Sequence, residues 1–212
     1  MNKNETFNDS DTANNYDGDE SLKQANVASL KIFAYLCKTQ LAVLLIALVW
    51  GYLRKIFWWQ QLKFDSSLFL GVGVAAVFII LSCIMYLFRK SLKFTNMEWM
   101  IENMYLPIFG HLKIWQLLIL SVLSGFCEEV FFRGVIFKEW GIIISCILFG
   151  ILHTGKKELL FSGIWITLMG AILCLLYSHT NNLSVTITAH FLNNLATFIA
   201  IYFIYKKRTT AL

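Results

Sequence analysis

Six apolar runs separated by short polar breaks organise the chain, covering residues 32–53, 66–88, 114–137, 140–153, 159–178 and 183–205. A helix crossing a hydrocarbon core needs roughly 20 residues. The second, fifth and sixth runs meet that length without a formal charge, apart from His190. The first contains Lys38, and the third contains Glu128, Glu129 and Arg133. The fourth is short, which predicts a tilted helix or one partly shielded by its neighbours. The pattern predicts an all-α, polytopic membrane helical bundle of about six transmembrane helices plus one interfacial helix.

The interfacial helix lies in the break RKSLKFTNMEWMIENMYLPIFGHLK at residues 89–113. Thr95 and Glu98 have the spacing of a capping box, in which hydroxyl and carboxylate satisfy orphan N–H groups. Met97, Trp99, Met100, Ile101, Met104 and Tyr105 then recur at helical spacing. Trp99 and Tyr105 suit headgroup level. Pro107, the only proline in the chain, is expected to end the run.

Three regions follow. Residues 1–27 are rich in Asn, Asp, Ser and Glu and bury too little apolar surface to order, which predicts a disordered cytoplasmic tail. Residues 28–110 hold the first two spans and the interfacial helix. Residues 111–206 hold the polar groups that suggest chemistry. The acidic, polar start has no signal-peptide pattern, so the first span is expected to direct membrane targeting.

Composition supports the membrane reading. The 212 residues are 58% hydrophobic and 15% charged, with a mean hydropathy of +0.62. Soluble domains carry about 25% charged residues. The net charge of +5 is uneven: residues 1–23 hold six acids and two lysines, leaving seven acids against sixteen Lys and Arg. That excess lies at the ends of apolar runs, where it meets anionic lipid headgroups. No soluble basic face points to nucleic acid. Counting Lys and Arg in the connections gives eleven on the N-terminal side and four on the other. This predicts a multi-pass protein of the cell membrane with both termini cytoplasmic. The five cysteines (Cys37, Cys83, Cys127, Cys146, Cys174) form no CxxC pair and read as buried free thiols. No internal repeat argues for a transporter.

Glu128, Glu129 and Arg133 carry the strongest signal, because charges in hydrocarbon persist only when they pair, meet water or do chemistry. Glu129 and Arg133 are i,i+4 neighbours and can pair. Glu128 lies about 100° further round the helix, free for acid–base work. An ion pair that only fixes helix packing is the competing reading. His153 ends the fourth run in FGILH, one turn after Phe149. His190 and Asn194 are i,i+4 on the sixth, beside Asn193; hydrogen bonding between helices is the alternative there. His111 and His179 sit at run edges and read as interfacial.

Together these residues allow two routes to amide hydrolysis. Glu128, His153 and His190 suit a divalent metal, such as zinc, with an open position. Alternatively, Glu128 and His153 activate water while His190 and Asn194 stabilise the oxyanion. Neither route has a covalent nucleophile, and neither GxSxG nor HExxH occurs.

These motifs resemble the CAAX prenyl endopeptidase and bacteriocin-processing (Abi) family of intramembrane proteases. That family's pattern is EExxxR, FxxxH, and HxxxN or HxxxD on successive core helices. Here it reads Glu128-Glu129-Val-Phe-Phe-Arg133, Phe149-Gly-Ile-Leu-His153 and His190-Phe-Leu-Asn-Asn194, within residues 114–200. The resemblance implies a membrane endopeptidase, of metalloprotease type by the family's label, with a water-filled cavity. Glu128 and His153 would activate water, and His190 with Asn194 would serve as oxyanion or metal partners. Glu129, Arg133 and Phe149 would support them. The substrate would be a membrane-associated peptide or lipidated protein. A non-catalytic immunity or scaffold role, as in bacteriocin self-immunity, is the alternative. Two departures stand out. Members often carry a proline before the last motif histidine, where this chain reads LSVTITAH, and the chain is shorter than eukaryotic members.

Overall fold

The computed structural model describes residues 9–89, 95–154 and 160–210. The helices are α1 (Asp9–Arg54), α2 (Leu68–Phe88), α3 (Thr95–Met100), α4 (Leu106–Phe109), α5 (Ile114–Glu129), α6 (Phe137–His153), α7 (Leu160–Thr180) and α8 (Leu183–Thr209). A 3₁₀ turn spans Trp58–Gln61, and π-helical stretches span Ile101–Tyr105 and Val130–Ile136. No strand occurs among the described residues. Five helical runs there are long and apolar enough to cross a membrane. The protein is an all-α, multi-pass membrane bundle.

Its burial pattern is that of a protein in lipid. Leu45, Val49, Phe69, Ile80, Ile143 and Leu168 are exposed, while Gln116, Ser121, Glu129, Arg133, Ser145 and Thr186 are almost fully buried. Hydrocarbon solvates the apolar faces, so polar groups turn inward to find partners.

The third and fourth apolar runs lie within one long helical stretch, Ile114–His153, that is broken into two arms. Gly141 divides it, with φ +80° and ψ −176°, a conformation that glycine adopts without a Cβ penalty. Beyond it, Ser145 Oγ donates to the Phe132 carbonyl at 3.0 Å, so the chain has folded back on itself. Equal arm lengths follow. Glu128 precedes Gly141 by thirteen residues and His153 follows by twelve, about 20 Å and 18 Å at 1.5 Å per residue. The short fourth run therefore returns His153 to the depth of Glu128.

Helix α1 runs parallel to α5, as Ser29 Oγ donates to Gln116 Oε1 at 3.2 Å and Ala47 packs with Val130 and Val135 further along. Helix α8 runs antiparallel to α5, with Phe198 and Tyr202 against Leu117 and Leu120.

Helix α1 begins at Asp9, within the expected tail. Once a span has nucleated a helix, each further residue adds a hydrogen bond at little cost. Residues 1–8 of that expected tail lie outside the described residues. Pro107 does not end its helix, which continues to Phe109. Proline sits at the first turn of α4, where its missing N–H costs least. The connector α3–α4 packs Ile101 and Leu106 against Ile201 of α8. Glu98 and Glu102 pair with Arg89 and Arg208 at 3.3 and 3.1 Å.

Candidate active site

Glu128 and Glu129 occupy the last turn of α5, and Arg133 the π-helical stretch that follows. Such π stretches recur at functional sites because they shift side chains out of α-helical register. All three residues are buried. Arg133 Nη1 lies 2.6 Å from Glu129 Oε1, and its Nη2 donates to the Gly170 carbonyl of α7 at 2.8 Å. The guanidinium also lies over the Phe149 ring, 4.6 Å from its centroid.

The pair is shared with a third partner. His190 Nδ1 contacts the same Glu129 Oε1 at 2.8 Å. A carboxylate only accepts, so Nδ1 donates and the neutral ring leaves a lone pair on Nε2. His153 repeats this logic, with Nδ1 2.7 Å from the Phe149 carbonyl. Phe149 packs against both imidazoles, at centroid distances of 4.6 Å to His153 and 6.0 Å to His190.

Both Nε2 atoms point to Glu128. Its Oε2 lies 3.4 Å from His153 Nε2 and 3.8 Å from His190 Nε2. That oxygen is buried and has no hydrogen-bond partner. The separations allow the three atoms to contact one shared water. His153 keeps a third of its side chain exposed while His190 keeps 8%, so the site opens on the His153 side.

The structure thus gathers Glu128, His153 and His190, with Glu129, Arg133 and Phe149 behind them. Asn194 sits one turn along α8 and donates to Ser124 Oγ at 2.9 Å; Ser124 is one turn before Glu128. The expected interfacial histidines are exposed, His111 beside the Tyr205 hydroxyl at 3.1 Å and His179 at the end of α7. The described cysteines are free thiols.

Sequence reasoning missed Gln40 of α1, whose Nε2 donates to Glu128 Oε1 at 2.8 Å. Its signal was an amide in an apolar run, on the stripe Ile32, Leu36, Gln40, Leu44, Ala47. It also missed Ser124 and the Gly170 carbonyl. Lys38, which did attract notice, is exposed.

Donor types here suit a metal, since two imidazole lone pairs and a carboxylate oxygen converge and both rings donate their other N–H to acceptors. Among the described residues no three His, Cys, Asp or Glu side chains are already grouped as a metal site.

Residues 110–196 match the model of the "Rce1-like: Type II CAAX prenyl endopeptidase Rce1-like" family. The match covers less than half of the chain. The matched residues include Glu128, Glu129, Arg133, Phe149, His153, His190 and Asn194. The chain is also 35% identical over 104 residues to "Uncharacterized protein YpbD" of Bacillus subtilis (strain 168), covering 45% of this chain and 54% of that protein. It spans about half the length of that curated relative. No solved structure matches the chain. Gln40 lies outside the matched residues, on the first span.

Proposed function

We propose that this protein is an integral membrane endopeptidase that hydrolyses a peptide bond through water activated by Glu128 and His153. The reading is carried by the unpartnered Glu128 Oε2, within 4 Å of two imidazole nitrogens, 3.4 Å from His153 and 3.8 Å from His190. Glu128 takes a proton from water, and the hydroxide adds to the scissile carbonyl. The oxyanion is met by the Asn194 amide N–H, beside the His190 ring that Glu129 orients. The intermediate then collapses, the C–N bond breaks, and Glu128 returns the proton to the leaving amine. Water and peptide give one carboxylic acid and one amine.

The substrate is a membrane-associated peptide or lipidated protein, which fits the Rce1-like match at residues 110–196 within lipid. The Lys and Arg distribution supports both termini on the cytoplasmic side of the cell membrane. A C-terminal reporter active only outside the membrane tests this, and a strong signal contradicts it.

A second reading rests on the two imidazole Nδ1 atoms, both held by acceptors. Glu128, His153 and His190 would then hold a divalent cation, which would supply Lewis acidity and a more acidic bound water.

Comparing membrane peptidomes of wild-type and Glu128→Ala cells tests the function. Peptides that accumulate uncut in the variant support the reading. Identical peptidomes at equal protein levels contradict it, and wild-type protection by such a variant would assign a binding role instead.

A further inference from the structure

Among the described residues outside 110–196, one side chain donates to the reacting carboxylate. Gln40 lies on the half-buried, inward-facing stripe of α1, between Leu36, which packs on the Leu112–Leu117–Leu120 cluster, and Leu44, which packs on the Val130–Val135 cluster. Those two apolar contacts, with the Ser29–Gln116 hydrogen bond, fix α1 in register along α5. Gln40 falls level with Glu128 as a result.

Its amide is used unequally. Nε2 donates to Glu128 Oε1 at 2.8 Å, whereas Gln40 Oε1 is buried without a partner. A buried acceptor left unpaired costs about 1–3 kcal/mol, so an apolar residue would serve packing alone better at this place in lipid. The polar side chain is explained by what its donor does. A carboxylate with two free oxygens rotates and shares its charge between them. With Oε1 engaged, Oε2 alone faces His153 and His190, at 3.4 and 3.8 Å.

We propose that Gln40 is a positioning residue for Glu128: it engages one carboxylate oxygen and aims the other at the reacting water, which makes α1 part of the active site. The inference rests on the reading of Glu128 as the water-activating base. Displacing a catalytic group by about 1 Å can cost 10²-fold in rate, so loss of this bond is expected to lower turnover by about 10- to 100-fold.

The test compares cells carrying wild type, Glu128→Ala, Gln40→Met, Gln40→Glu and Gln40→His, with membrane protein levels matched by immunoblot. The readout is the rate at which Glu128-dependent peptides disappear. Methionine matches glutamine in length and suits lipid, so a packing role is served equally well by it. The expected results are a 10- to 100-fold slower rate with Met, a larger loss with Glu, which sets two carboxylates together, and partial recovery with the donor His. With the fastest peptide in purified proteoliposomes, kcat should fall while KM stays within about twofold, as for a residue that acts on the reacting group. Wild-type kcat in Gln40→Met, while Glu128→Ala is inactive, overturns the inference and leaves the proposed function standing. If no peptide depends on Glu128, the function fails first, and the inference with it.

Discussion

His190 Nδ1 and Glu129 Oε1 are 2.8 Å apart, and Arg133 shares the same oxygen at 2.6 Å. One buried carboxylate oxygen therefore joins α5, the π-helical stretch and α8. The imidazole is held by a group whose own position is fixed by a guanidinium anchored to α7. The two adjacent glutamates thus have different roles. Glu129 serves structure and orientation, and Glu128 is left to react.

Breaking this link from one side is expected to be costly. Glu129→Gln leaves the Arg133 charge buried without its counter-ion, a loss of about 3–5 kcal/mol. Thermal unfolding in detergent should show a large fall in midpoint. Adding Arg133→Met removes the orphaned charge and should recover much of that stability. Activity should return only in part, because the glutamine amide oxygen still accepts from His190 Nδ1 but carries no charge. Equal midpoints for Glu129→Gln and wild type would contradict the shared-oxygen account.

Gly170 is the site's narrow point. A Cβ there would lie 2.9 Å from the Phe149 ring and 3.5 Å from Arg133 Nη2. Gly170→Val should displace both, at about 1–3 kcal/mol for overpacking, and Gly170→Ala should cost less. Since Phe149 carries the carbonyl that orients His153, cleavage should fall in the same order. A fully active, stable Gly170→Val would show that the guanidinium contact is dispensable.

Asn194 has one amide N–H engaged with Ser124 Oγ, which leaves the other for an oxyanion. Asn194→Leu is expected to lower kcat by about 10²–10³-fold with unchanged membrane levels. Ser124→Ala, which removes only the orienting hydroxyl, should give a smaller fall. If both variants keep wild-type kcat, Asn194 is a packing residue.

Metal removal separates the two hydrolytic readings. The glutamate-activated mechanism predicts that purified protein dialysed against 1,10-phenanthroline keeps its cleavage rate. Loss of activity, restored by zinc, would instead assign a cation to Glu128, His153 and His190.

Much of this site was readable from spacing. The i,i+4 relation of Glu129 and Arg133 directly indicated their pairing, because a helix brings such residues together whatever surrounds them. Depth was not readable. The apolar count separates the third run from the fourth, but it does not say that the turn falls at Gly141, midway between Glu128 and His153, which is what brings the two to one depth. Its φ of +80° is a property of the fold, available to glycine but not announced by it. Gln40 was hidden for a different reason. A single amide in an apolar run has no local partner, and its meaning appears only when α1 is set against α5. The π-helical stretches were equally silent, since no side-chain period distinguishes one extra residue in a turn. At Pro107 a local rule misled, because a proline that breaks one helical segment is well placed at the start of the next.

The most direct test uses purified protein in liposomes with internally quenched peptides, with and without a farnesylated cysteine. Wild type should cut at least one of them. Glu128→Ala and His153→Ala, inserted to the same level, should each reduce that rate to background. Cleavage at the wild-type rate by either variant would contradict the claim that these two side chains activate the attacking water.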